Sequence, residues 1–198
     1  MSEEEMSQSM LTRGLIDGIE EVAGVKGRNM VLRHANLEEY IDNPPPMTEE
    51  LIVPRAHYRA IEKALMDVFG RGSQALLFYI GEAATRRGIE GVPAVLASAM
   101  RLLPGGLKKK AIFKVAVDQT AKLVDIPPRV EFAKDKIIFY HPGCVSCEGY
   151  ETDQPICAYA AGLLMPLAEL AAGKRHKVTE VECKAMGDKE CVFEITEM

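Results

Sequence analysis

Cys144, Cys147, Cys157, Cys183 and Cys191 are the residues of this chain best equipped for chemistry, and all five fall in its last 55 positions. An odd number of thiols argues against a disulfide framework, because a reducing compartment keeps cysteines free. Their clustering argues against five unrelated core thiols. Metal binding or redox chemistry is what such a set can do.

The spacing suggests how they meet. Residues 177–184 and 190–196 read as a hairpin around Met186-Gly187-Asp188. With Gly187 at the centre of the turn, Cys183 faces Cys191, Val181 faces Phe193, and Thr179 faces Ile195. Directly opposed residues have Cβ atoms about 4.5–5.5 Å apart. Two thiols at that distance can share a metal ion or form a disulfide; they can also simply pack as small hydrophobes. Cys157 falls in the first turn of a helix over 155–172, where unpaired N–H groups favour a thiolate. Its plain alternative is core packing beside Ala160, Ala161 and Leu164. Cys144-Val145-Ser146-Cys147 lies in a loop, 141–154, that opens with His141, Pro142 and Gly143. A C-x-x-C there can bind metal or act as a dithiol switch. Joined by Cys157 and one hairpin cysteine it could ligate an iron–sulfur cluster, although the spacing matches no standard ferredoxin run.

Helices must hold these elements in place. Leu11, Leu15, Ile16, Ile19 and Val22 recur at helical spacing before Gly24, and Val31, Leu32, Leu37 and Ile41 suggest further short helices. Asn43-Pro44-Pro45-Pro46 then ends regular structure, leaving 43–54 as a connector. Ile61, Ala64, Leu65 and Val68 mark a strong helix that stops at Gly70 or Gly72. Ser73 opens another, through Ala75 to Ile80, apolar in nearly every direction and therefore expected to be buried centrally. A third runs from Pro93 to Pro104-Gly105-Gly106, and a fourth covers 107–124 with Ile112, Val115, Ala116 and Leu123 inward. Residues 129–133 and 136–140 are strand-like, joined by Lys134-Asp135. Pro166 predicts a kink in the cysteine-bearing helix. The order of helices, two strands, a helix and two strands predicts an α+β fold with a four-stranded antiparallel sheet.

The remaining composition excludes several functions. Of 198 residues, 47% are hydrophobic, enough for a real core, and a net charge of −5 suits no general nucleic-acid binder. No apolar run reaches the roughly 18 residues of a membrane span. The opening Met1-Ser2-Glu3-Glu4-Glu5 is acidic where a secretion signal would be basic, so a cytoplasmic location is expected. Neither a phosphate loop nor a dinucleotide fingerprint is present: Gly105-Gly106-Leu107-Lys108 lacks the terminal Ser or Thr, and Gly70-Arg71-Gly72 lacks a third glycine. Ser98 and Ser146 have no His and carboxylate arrangement. Phe78, Phe113, Phe139 and Tyr159 could line an apolar pocket or be ordinary core.

Four stretches together resemble the vinyl-4-reductase domain: Cys157-Ala158-Tyr159-Ala160-Ala161-Gly162-Leu163-Leu164, Val178-Thr179-Glu180-Val181-Glu182-Cys183, Met186-Gly187-Asp188 and Cys191-Val192-Phe193. That family includes sensor modules of phenol-responsive activators, a protein linked to bacteriochlorophyll vinyl reduction, and archaeal proteins described as predicted hydrocarbon-binding. It is related to TRAPP-type trafficking subunits. The resemblance covers residues 51–198 as a ligand-binding domain, preceded by a helical extension and Pro-rich connector over 1–50. It implies a zinc site at Cys157, Glu180, Cys183 and Cys191, a homodimer, and an apolar pocket near the metal. Three thiolates and one carboxylate would close a tetrahedral site of the structural kind. Glu180 and Cys183 are an odd number of residues apart, so a regular strand sets them on opposite faces. A bulge could re-aim Glu180; otherwise His141, Cys144, Cys147 or water takes the fourth position.

The reading that follows is a cytosolic, dimeric, zinc-containing domain that binds or senses a small apolar or aromatic molecule and signals through a regulatory partner. A redox or iron–sulfur protein centred on Cys144 and Cys147 is the alternative. A tetrapyrrole vinyl reductase is a third, and no nicotinamide or flavin motif supports it.

Overall fold

A computed structural model describes residues 6–198; the acidic Met1–Glu5 stretch lies outside the described residues. The chain opens with a short strand, β1 (Met6–Gln8), and α1 (Ser9–His34), followed by one helical turn, α2 (Glu39–Asp42). Gly24, expected as a stop, interrupts α1 with φ 71° and ψ 173°, after which the helix resumes. Glycine takes that conformation without a Cβ penalty. The change of direction buries Leu15, Ile16 and Ile19 from one limb with Val31 and Leu32 from the other.

The connector is less irregular than its prolines suggest. Its last four residues form β2 (Leu51–Pro54), antiparallel to β1. Next come α3 (Arg55–Phe69), α4 (Ser73–Glu90), α5 (Ala94–Leu102) and α6 (Gly105–Ala121). Along α4 only one face is enclosed: Leu77, Ile80 and Gly81 are buried, while Tyr79 is 56% exposed. In α6 the buried pair is Ile112 and Phe113, whereas Val115, expected inward, is exposed. The inward stripe there is one position off, because Phe113 outcompetes the smaller side chains for the interior.

Strands β3 (Arg129–Phe132) and β4 (Lys136–His141) are followed, after the cysteine loop, by α7 (Ala158–Ala172), β5 (His176–Glu182) and β6 (Cys191–Glu197). The four strands form one antiparallel sheet in the order β3-β4-β6-β5. This is the α+β architecture that the element order implies. Helix α7 starts three residues later than its Pro155 suggested, with Cys157 as its N-cap, and Gly173 ends it in the left-handed region.

Helix α7 joins the two layers by backbone contact with α4. A Cβ on Gly162 would lie 2.0 Å from the Phe78 carbonyl oxygen, and one on Gly81 would lie 2.2 Å from that of Tyr159. Only glycine permits such an approach. On one side of this crossing lies a purely helical core built from α1, α3 and α4; on the other, Ile137, Phe139, Phe193 and Ile195 of the sheet pack with Leu164 and Ala168 of α7 and with all five cysteines.

Candidate metal centre

The β5–β6 register places the hairpin donors. Val178 pairs with Ile195, Thr179 with Glu194, and Glu180 with Phe193; the next pair is Glu182 with Val192. Val181 is therefore an extra residue, a bulge, and is half exposed. This corrects the regular register, in which Val181 met Phe193 and Thr179 met Ile195. It also resolves the parity problem, because a bulge rotates the preceding residue onto the face of the residue after it. Glu180 and Cys183 now look the same way. At the turn, Cys183 N donates to Asp188 Oδ2 at 2.8 Å, and Met186 N donates to the Cys183 carbonyl at 2.9 Å. Gly187, at φ 95°, closes the loop.

Cys157 reaches the same place from α7. Its N–H donates to Glu180 Oε2 at 2.9 Å, so the carboxylate caps the helix and draws its first turn to β5. The loop cysteines arrive from a third direction. Cys144 precedes, and Cys147 ends, a short 3-10 turn over Val145–Cys147. Two bonds hold the loop to the hairpin: Thr152 N to the Ala185 carbonyl at 2.8 Å, and Lys184 Nζ to the Pro142 carbonyl at 2.9 Å.

All five thiols are free, buried and in one cluster. Cys147 Sγ lies 3.2 Å from Cys157, 3.4 Å from Cys191 and 3.6 Å from Cys183; Cys157 lies 3.3 Å from Cys144 and 3.8 Å from Cys191. Two overlapping sets each bring four donor atoms within 4.8 Å of one another. One is Cys144, Cys147, Cys157 and Cys191; the other is Cys157, Glu180, Cys183 and Cys191. The sequence treats the loop pair and the hairpin-helix set as separate readings, whereas in space they share two members. Hydrogen bonds from the Cys144, Cys157 and Cys191 thiols hold Cys147 far below the ordinary thiol range, and contacts with Cys144 and Cys147 push Cys157 up. Burial raises Glu180 above the usual carboxylate range.

The donors fit a metal ion. Zinc–sulfur bonds of about 2.3 Å set tetrahedral edges of roughly 3.8 Å, close to the sulfur separations here. Glu180 Oε1 is buried and has no hydrogen-bond partner, an orphan that a cation would satisfy. An iron–sulfur cluster would interpose iron and sulfide between its thiolates and hold them well beyond contact. The Cys-rich cluster could thus hold a metal ion.

Beyond the sulfurs lies a residue that sequence reasoning passed over. Glu62 of α3 is fully enclosed, and its Oε1 accepts from Tyr58 Oη at 3.0 Å and from Ser146 Oγ at 2.8 Å. Burial pushes its carboxyl up to about 7. The signal was a glutamate beside Ile61 in an otherwise apolar stripe, four residues after a tyrosine. Glu148 adds ion pairs to Arg55 at 3.4 Å and Arg59 at 3.2 Å, so the cysteine loop is fastened to α3 at both ends. His141 stands opposite Cys191 on β4, and burial lowers its imidazole to about 4. It belongs to neither donor set.

Two depressions border the centre. A groove of about 320 Å³ between α4, α7 and β5 is lined by Phe78, Ala158, Ala161, Val178 and the candidate ligand Glu180, among others. A broader, more polar cleft of about 1260 Å³ runs past Arg71, Gln74, Glu151 and Asp153 to Ile156.

Comparison with known proteins places these features. The family model of the vinyl-4-reductase domain matches residues 140–197, from the end of β4 to the end of β6. An uncharacterized protein of Methanocaldococcus jannaschii is 36% identical over 52 residues, which are 26% of this chain and 29% of that relative. The phenol-responsive sensory domain of the transcription activator PoxR, solved with phenol, has a TM-score of 0.57 at 18% identity, over 76% of this chain and 77% of that one. A variant H-NOX domain of T. Tengcongensis has a TM-score of 0.64 at 16% identity, over 96% of this chain and 97% of that one. At these identities the likeness is one of fold. Among the described residues no helix is long and apolar enough to cross a membrane.

Proposed function

We propose that this protein is a metal-stabilised small-molecule sensor domain, with zinc held by Cys157, Glu180, Cys183 and Cys191 and an apolar or aromatic ligand bound beside it. One observation carries the reading: the donor atoms of these four residues lie within 4.8 Å of one another, and Glu180 also lines the neighbouring groove. Zinc would supply a fixed cross-link, not a reaction; four protein donors leave it no open position. Its grip on β5, β6 and the first turn of α7 would set the shape of the groove wall. A ligand leaning on Phe78, Ala161 and Val178 would thereby act on the same strand that carries the carboxylate.

Several observations support this. The span matched by the vinyl-4-reductase family model contains all the cysteines, and the PoxR domain of similar fold is described as phenol-responsive. A volume of about 320 Å³ falls at the small end of ligand sites, of order 300–1,000 Å³. Five free thiols suit a reducing compartment, the cytoplasm. A homodimer and a regulatory partner would relay the output.

Metal analysis and ligand titration together test the reading. Protein purified without chelator should contain zinc, and Cys183→Ala should lower the content. Phenol and simple aromatics should raise the melting temperature of the wild type. Val178→Trp, which fills the groove, should abolish that shift while keeping its zinc. Absence of zinc removes the metal centre; zinc without any aromatic response removes the sensor.

A further inference from the structure

The cluster holds more donors than one tetrahedral ion can use. Five thiols and the Glu180 carboxylate converge, and the two four-membered sets overlap only at Cys157 and Cys191. Six donors with two in common are what two tetrahedra sharing an edge require. The Sγ atoms of the shared pair, Cys157 and Cys191, stand 3.8 Å apart, matching the tetrahedral edge of about 3.8 Å set by zinc–thiolate bonds.

We propose that the cluster takes two zinc ions, one held by Cys157, Cys191, Glu180 and Cys183 and a second held by Cys157, Cys191, Cys144 and Cys147. The Cys157 and Cys191 thiolates bridge them. This rests on the zinc site proposed above and adds to it a second, all-sulfur position. Sulfur ligands suit zinc and exclude magnesium and calcium, which take oxygen.

The state of the loop cysteines argues for the second ion. Cys144 and Cys147 are 2% and 5% exposed. If a single ion occupied the hairpin set, both would remain enclosed against its ligands, with Cys147 at 3.2 Å from Cys157 and 3.4 Å from Cys191. Thiolates there would add uncompensated buried charge, which is costly; thiols could offer only weak S–H hydrogen bonds. A second dication turns both into ligands. Cys147 and Cys183, now 3.6 Å apart, then belong to different ions and separate as each turns to its own. The second position also has a mechanical result. It anchors the loop that Ser146 ties to Glu62 and that Glu148 ties to Arg55 and Arg59. The metal centre would thus reach α3 as well as the hairpin.

Zinc stoichiometry of the full chain decides the matter. Anaerobically purified protein, loaded with zinc and freed of excess by gel filtration, should carry two ions per chain by mass spectrometry. The double variant Cys144→Ser/Cys147→Ser should keep one. One ion in the wild type overturns the second site and leaves the first standing; no ion overturns both. Loss of all zinc in a folded double variant also overturns the proposal, since the loop thiols would then serve a single ion. Cobalt titration reports on the bridge. Paramagnetic resonance intensity should rise with the first equivalent and fall with the second, as thiolate-bridged ions couple. Intensity that doubles without coupling overturns the shared edge.

Discussion

The two cores on either side of the α4–α7 crossing are built on different principles. The helical side buries Leu15, Ile16, Ile19, Leu32, Ile61, Leu65, Leu77 and Ile80 with almost no exposure, and its cohesion is that of ordinary apolar packing. The sheet side sets its five cysteines and a glutamate in the middle of an apolar cluster. Sulfur alone packs well enough, but a buried carboxylate oxygen without a partner costs roughly 1–3 kcal/mol. The helical core is therefore complete as a hydrocarbon object. The other is completed by a cation.

Removing that cation should produce the largest effect. Structural zinc contributes folding free energy directly, about 10–16 kcal/mol in small zinc-finger peptides. Here we expect Cys157→Ser, or chelation of the wild type, to cost about 5 kcal/mol or more, because Cys157 belongs to both donor sets. Hydrogen exchange should localise the loss. Amides of β5, β6, the 142–157 loop and the first turn of α7 should lose protection, and those of α1 and α3 should keep it. Equal loss in both cores would break the comparison.

The converse experiment disturbs the helical core alone. Leu65 is fully buried between α3 and its neighbours. Leu65→Ala should cost about 2–5 kcal/mol, the usual range for such a cavity, measured by urea denaturation at saturating zinc. Zinc content should stay at the wild-type value. A variant that also sheds zinc would show that the glycine crossing transmits core damage to the metal centre.

How much of this contrast could be read from the chain depends on the range of the signal. Periodic apolar positions gave α3 and α7, and alternation with turn residues gave the four strands of the main sheet, since those patterns are local. β1 and β2 were invisible: three and four residues carry no alternation, and their pairing spans more than forty positions. The cysteine set Cys157, Cys183 and Cys191 was legible from hairpin spacing and family resemblance. The bulge at Val181 was only conceivable, because nothing in Thr179-Glu180-Val181-Glu182 marks which residue is extra. That Cys144 and Cys147 join the same cluster depends on the path of a loop, which no local pattern fixes. Gly81 and Gly162 announced the helix crossing only as glycines inside helical runs.

The smallest expected effect concerns the seam between the cores, and its sign follows from Glu62. Burial raises that carboxyl from 4.5 to about 7 in the folded chain, so the folded state holds the proton more tightly than the unfolded state does. Protonation therefore favours folding below about 4.5, and this contribution is lost progressively as pH rises to about 7. Glutamine keeps the acceptor for Tyr58 and Ser146 without the titrating proton. Glu62→Gln should accordingly be more stable than the wild type by about 1–3 kcal/mol near pH 8, with the difference shrinking towards pH 5. The comparison must be variant against wild type at each pH, because proton release by the thiol ligands is common to both and cancels. A difference that does not change with pH would mean that Glu62 stays ionised in the fold. Its orphaned Oε2 would then need a cation, and the seam would resemble the sheet side more than the helical one.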